Sequence, residues 1–198
     1  MRELSVEGYL ESLASRNSTP GGGAVAAITG AQLAALITMV ARFTAINTDN
    51  KETLESIIDR AEKARIEFLN LGEQDVTAFN AVMTAYRMPK GSESKEEALQ
   101  DALKAAATAP LLTLELSQSL ASDIEILARI GNKNLTTDIG MAALLVPATI
   151  ESAQMNVMIN LKGIKEKKFI KNTLQKIELA KECKKRMEQI KSDILQSL

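Results

Sequence analysis

The sequence predicts an all-α fold, a single bundle of about five or six long helices with some of them kinked, and three observations carry that expectation. Helix formers dominate the 198 residues, whereas Trp is absent and there are only two Tyr and four Phe. Apolar residues recur at three- and four-residue steps in nearly every segment, and none reads as a convincing strand. Breakers cluster at a few places and leave long uninterrupted stretches between them. The length suits one sizeable core, and no composition break asks for a second unit, so residues 1–198 are expected to form a single domain.

Taken in order, residues 5–16 set Val6, Tyr9, Leu10 and Leu13 on one face of a short amphipathic helix, which Ser18-Thr19-Pro20-Gly21-Gly22-Gly23 breaks. The second helix, about residues 22–46, has no charge before Arg42, and the uncharged run starting at Asn17 spans twenty-five residues. That is long enough to cross a bilayer. Its Ala, Gly and Thr content and its lack of aromatic anchors favour a buried core helix instead. Gly22, Ala26, Gly30, Ala34 and Thr38 fall on one line four residues apart, so a neighbouring backbone can come close there.

A third helix runs from Lys51 to about Met88, its core face carried by Leu54, Ile57, Phe68, Gly72, Phe79, Val82, Met83 and Tyr86, with Asp75 beside that face. Met88-Pro89-Lys90-Gly91-Ser92 ends it, and Ser94 with Glu97 reads as a capping box for the fourth helix, about 95–130. Pro110 is expected to kink or break that helix near its middle. Gly131 closes it, and Asn134 is the expected cap of the fifth, about 136–163, which is nearly uncharged and therefore buried on most sides. Asp138, Asn156 and Asn160 follow a polar line on this buried helix and need partners. A last helix, 168–195, has Ile170, Leu174, Ile177, Ala180, Met187, Ile190 and Ile194 on one face and a basic exterior.

Charge and residue types exclude several functions. Residues 165–198 carry ten Lys/Arg against five Asp/Glu, while the rest of the chain carries fourteen against twenty. An acidic body poor in aromatics lacks both the phosphate contacts and the stacking surfaces of a nucleic-acid-binding domain, so no nucleic acid is expected as partner, and the composition of the second helix argues against a membrane. The absence of histidine rules out Ser-His-Asp and Cys-His catalysis within one chain, and leaves no ordinary nitrogen and sulfur zinc site; no metal is expected. Acid–base work then falls to Asp, Glu, Lys or Tyr with pKa values moved by their surroundings. The one cysteine, Cys183, cannot form an intrachain disulfide, and with an acidic amphipathic beginning the cytoplasm is the simplest location. Lys181, Lys184, Lys185 and Arg186 could lower the pKa of that thiol, but no base partner is visible and the segment reads as outer helix.

The segments Ser18-Thr19-Pro20-Gly21-Gly22-Gly23-Ala24-Val25-Ala26-Ala27, Gly131-Asn132-Lys133-Asn134-Leu135-Thr136-Thr137-Asp138-Ile139-Gly140 and Asn156-Val157-Met158-Ile159-Asn160-Leu161-Lys162 resemble the cyclodeaminase/cyclohydrolase family, over nearly the whole chain. That family includes the cyclodeaminase part of formiminotransferase-cyclodeaminase. Lys133 stands where a proline is common in relatives. The resemblance implies an all-helical homodimer acting on a tetrahydrofolate derivative, with or without a polyglutamate tail, at a site near the subunit interface and with no cofactor beyond the folate. Members either expel ammonia from 5-formiminotetrahydrofolate to give 5,10-methenyltetrahydrofolate, or hydrolyse the methenyl compound; a helical dimer that binds folate without turning it over is the alternative from another class.

Both reactions pass through a cationic, amidinium-like centre, which a nearby carboxylate stabilises and a protonated one can serve with protons. The candidates for catalysis are Asp138, Asp75 and Lys104. Asp138 has the competing role of a charge at a helix N-terminus, Asp75 that of a buried carboxylate satisfied by neighbours or by Lys104, and Lys104 that of a snorkelling surface lysine. For substrate binding the candidates are Pro20, Gly21, Gly22 and Gly23, whose turn opens a helix with free N–H groups that attract a carboxylate, and Asn132, Asn134, Asn156 and Asn160, whose amides suit a pterin edge. Close helix crossing explains the glycines equally well.

Overall fold

The computed structural model describes residues 2–89 and 93–198, and every regular element among them is helical. Seven α-helices follow in order: α1 (Val6–Ala14), α2 (Gly22–Phe43), α3 (Lys51–Arg87), α4 (Glu93–Ser119), α5 (Ala121–Ile130), α6 (Thr136–Leu161) and α7 (Lys167–Ser197), with a 3-10 turn at Lys133–Leu135 leading into α6. The all-α expectation holds. There is one helix more than the sequence divides into, because the stretch taken as a single kinked helix to residue 130 is two.

The main body is a ring of four helices in which α2 packs on α3 and α6, and α4 closes the circle by packing on the same two. The last helix, α7, covers α6 and α4 from outside, and one continuous core draws buried side chains from α2 through α7. By length and hydropathy α2 could span a membrane, as could Lys133–Leu161. Twelve of its 22 residues are instead buried against its neighbours. The small-residue line on α2 receives a side chain more than a backbone: the fully buried Phe68 ring lies on Gly30, where a Cβ would overlap it. Burying that ring stabilises the α2–α3 contact by about 1.5–3 kcal/mol.

Pro110 does not break α4. The helix runs through it to Ser119, and the chain turns only at Leu120, whose N–H bonds to the Ser117 carbonyl. A proline deletes one helical hydrogen bond, and here the Asn160 side chain from α6 donates to the stranded Ala106 carbonyl. The capping box is also displaced: α4 already includes Ser94, and Lys90, Gly91 and Ser92 lie outside the described residues. Near the chain start α1 is peripheral, with Val6 and Leu10 exposed and no residue buried. On α7 the buried line includes Thr173 and Cys183, while Leu174 faces outward. Cys183 is therefore an inner residue of an outer helix, and burial pushes its thiol upward despite the opposing pull of Arg186. An ion pair unremarked in the sequence joins α3 to α5: the half-exposed Arg60 donates to the buried Asp123 through Nη2 at 2.6 Å and Nε at 3.3 Å.

Candidate functional site

A cavity of about 600 Å³ opens where the start of α2, the second half of α3, α4 and the end of α6 converge. Its volume suits a ligand of drug size. Gly21, Gly22 and Gly23 bring the first turn of α2 to its edge, and the first helical hydrogen bond there is Val25 N–H to the Gly21 carbonyl. The N–H groups before Val25 thus have no helical acceptor. Pro20 forms part of the turn, after a cis Thr19–Pro20 peptide, but does not line the cavity.

Asp75 reaches the cavity from α3 and lies directly against Gly23, where a Cβ would overlap its carboxyl group. Only glycine allows α2 to start this close to the acid. No Lys or Arg pairs with Asp75 among the described residues, and burial pushes its carboxyl above the ordinary carboxylate range. Asn156 and Asn160 face it from α6, the Asn156 amide lying beside Gly22. Asn156 donates Nδ2 to the Ser152 carbonyl at 2.8 Å, and Asn160 donates Nδ2 to the carbonyls of Asn156 at 2.8 Å and Ala106 at 3.1 Å. Both amides keep an oxygen for a ligand.

Phe79, Val82, Met83 and Tyr86 form an apolar wall that the sequence pattern assigned to the core. They continue from Asp75 at steps of four, three, one and three, so the signal was the face itself, read past the point where α2 stops covering it. Tyr86 is 53% exposed, as a cavity mouth requires and a core position does not. Lys162, with Ser18 and Thr19, supplies polar groups around the same cavity.

The other expected residues lie elsewhere. Asp138 occupies the first turn of α6, half-buried and with no hydrogen bond or ion pair among the described residues. Eighteen residues separate it from Asn156, about 27 Å along the helix axis. Asn132 is fully engaged in structure: Nδ2 donates to the Phe43 carbonyl at 2.8 Å, its N–H to Thr44 Oγ1 at 3.1 Å, and its Oδ1 accepts from Asn134 N–H at 3.0 Å. It ties the α5–α6 loop to the end of α2. Asn134 does not cap α6, which starts after Leu135 with no side-chain cap; Asn132 caps only the preceding 3-10 turn, and the Asn134 side chain is exposed. Lys104 points to the start of α7, where it pairs with Glu166 at 2.9 Å, and it also pairs with Asp101 of its own helix at 3.8 Å. The hydrogen bond to Glu166 holds its ammonium above the usual lysine value, and it does not satisfy Asp75.

Fold and site together define a helical protein with one acid, two acceptor amides and an apolar wall around a pocket sized for an organic ligand, and no His among them. Residues 5–179 match the family model described as formiminotransferase-cyclodeaminase, and the chain belongs to that family. It is 36% identical to a methenyltetrahydrofolate cyclohydrolase of Methylorubrum extorquens, over 88% of this chain and 87% of that one. It is 30% identical to the formimidoyltransferase-cyclodeaminase of Mus musculus over 88% of this chain, which spans only 34% of the mouse protein. Among solved structures, a formiminotetrahydrofolate cyclodeaminase from Thermotoga maritima superposes with a TM-score of 0.88 at 37% identity, covering 98% of both chains.

Proposed function

We propose that this protein is a cytoplasmic enzyme of folate-bound one-carbon chemistry, a formiminotetrahydrofolate cyclodeaminase that needs no cofactor beyond its substrate. The observation that carries the reading is the half-buried Asp75 carboxyl, which has no ion-pair partner among the described residues, lies against the start of α2 and shares a cavity with two amides. Ring closure joins N10 of the folate to the formimino carbon, and the departing amine must gain the proton that N10 loses. A carboxyl raised by burial can accept from one nitrogen and donate to the other. Its ionised form also stabilises the amidinium cation left when ammonia departs. The apolar wall takes the face of the pterin, and the free N–H groups opening α2, with Lys162 nearby, favour the anionic glutamate end.

Hydrolysis of the methenyl compound is the second reading, favoured by the similarity to the Methylorubrum cyclohydrolase. There Asp75 would take a proton from the attacking water and return it to the leaving N5. Incubation of purified protein with each substrate, following near-ultraviolet absorbance and ammonia, separates the two. Ammonia release from the formimino compound is expected. Inertness towards both over several pH values would overturn the enzyme reading and leave a folate-binding dimer.

The same reading includes a homodimer, and it gives Asp138 a place. Met141, Leu144, Ala148 and Met155 make an exposed, largely apolar stripe on α6. Two such helices crossing antiparallel with the twofold axis at Ala148 would set Met141 against Met155 of the partner subunit and bring Asp138 towards the partner's cavity end of α6. A dimer mass by light scattering is expected. Mixing Asp75→Asn with Asp138→Asn subunits should restore about a quarter to a half of wild-type activity, because one cavity of each mixed dimer is then intact. A monomer that is fully active would remove both the interface and Asp138.

A further inference from the structure

Pro110 lies inside α4 and carries no N–H, so the Ala106 carbonyl four residues earlier lacks its helical donor. Asn160 supplies that donor from α6, with Nδ2 at 3.1 Å from Ala106 O, while the same nitrogen donates to Asn156 O at 2.8 Å. Both amide protons are thereby used. Two carbonyl oxygens facing one atom also fix which end of the amide is which, since an oxygen there would meet two acceptors. Oδ1 accepts nothing from the described residues, and both Asn160 and Ala106 line the cavity.

We propose that Pro110 is a positioning residue for ligand binding: the carbonyl it strands locks the Asn160 amide so that Oδ1 stands as a fixed acceptor for an N–H donor of the ligand. Resting on the folate reading above, this makes the wall selective for the N–H edge of an aminopyrimidinone ring. The neighbouring Asn156 is held only by its own helix, through Ser152 O at 2.8 Å, and has no such cross-helix anchor. Replacing Pro110 by alanine returns an N–H to the Ala106 carbonyl, removes the need for Asn160 there, and frees the amide to turn.

The test is a double-mutant cycle on the full chain with Pro110→Ala and Asn160→Ala, using 5-formyltetrahydrofolate as binding probe and steady-state turnover in parallel. Each single variant is expected to weaken binding about tenfold, the value of one good hydrogen bond, with KM rising and kcat within about twofold for Pro110→Ala. The double variant should be no more than about twofold worse than either single one, because both remove the same fixed acceptor. Wild-type affinity in Pro110→Ala, or losses that multiply, would overturn the assignment. In parallel, the Asn160 side-chain amide protons should exchange slowly in wild type and quickly in Pro110→Ala; unchanged exchange also counts against it, and needs no ligand. A wild-type protein that neither binds nor converts any folate defeats the folate reading itself, which separates that failure from this one.

Discussion

Replacing Asp75 by asparagine keeps the shape of the side chain against Gly23 and removes only its ability to carry a proton and a charge. A positioned acid–base group is worth a factor of about 10² to 10⁴, so kcat should fall at least 100-fold, an increase of about 3 kcal/mol in the barrier. Stability should move the other way. Burial raises the Asp75 carboxyl above its ordinary 3.8, so the folded state holds the proton more tightly than the unfolded state does. The stability this lends is complete below pH 3.8 and is lost as the pH climbs through the raised value. Beyond it the ionised acid costs the fold about 1.4 kcal/mol for each tenfold by which burial weakens the acid, before solvent screening. Asparagine escapes that cost. The variant should therefore melt higher than wild type at about pH 8, with the difference closing towards about pH 4, as followed by circular dichroism. Its pH–rate profile should also lose the limb that the titration of Asp75 gives wild-type turnover. Turnover within about threefold of wild type, or a melting difference that ignores pH, would refute the reasoning.

Three other perturbations follow from the packing. Gly23→Ala places a Cβ in the space of the Asp75 carboxyl, so that group must swing aside; kcat/KM should fall about 100-fold while the urea midpoint barely moves, since the obstacle is a side chain that can rotate. Asp123→Ala leaves Arg60 without its buried partner and should cost about 2–3 kcal/mol by urea denaturation, below the full penalty for a buried pair because Arg60 is 48% exposed. Cys183, buried with its thiol pushed up by that burial, should react with a disulfide reagent at least about 100-fold more slowly in the native protein than in urea; equal rates would show that α7 does not cover it.

Much of the helix pattern was legible because period and breakers are local properties. The long α3 and the nearly uncharged α2 and α6 stand within a few residues of where spacing puts them. At Pro110 the helix is not broken, and the donor that meets the stranded Ala106 carbonyl, Asn160, is fifty residues further along the chain, beyond the reach of a local rule. For Cys183 the sequence showed the basic neighbours but not the burial: the thiol turns inward, and that burial outweighs the pull of Arg186. The site was half legible. Asp75, the glycines, Asn156 and Asn160 meet at one cavity, whereas Asn132 spends its amide on the end of α2 and Lys104 pairs with Glu166.

By itself the sequence determined the helical class, the missing imidazole that confines chemistry to carboxylates and amides, and the family. These depend on residue identity and spacing along the chain. Only tertiary structure decided which polar groups share a cavity. Asp75 and Gly23 lie fifty-two residues apart and touch, whereas Asp138 and Asn156 share a helix and are held about 27 Å apart by its rigid rise. Packing a side chain onto a glycine erases sequence distance, and the rise of a helix preserves it.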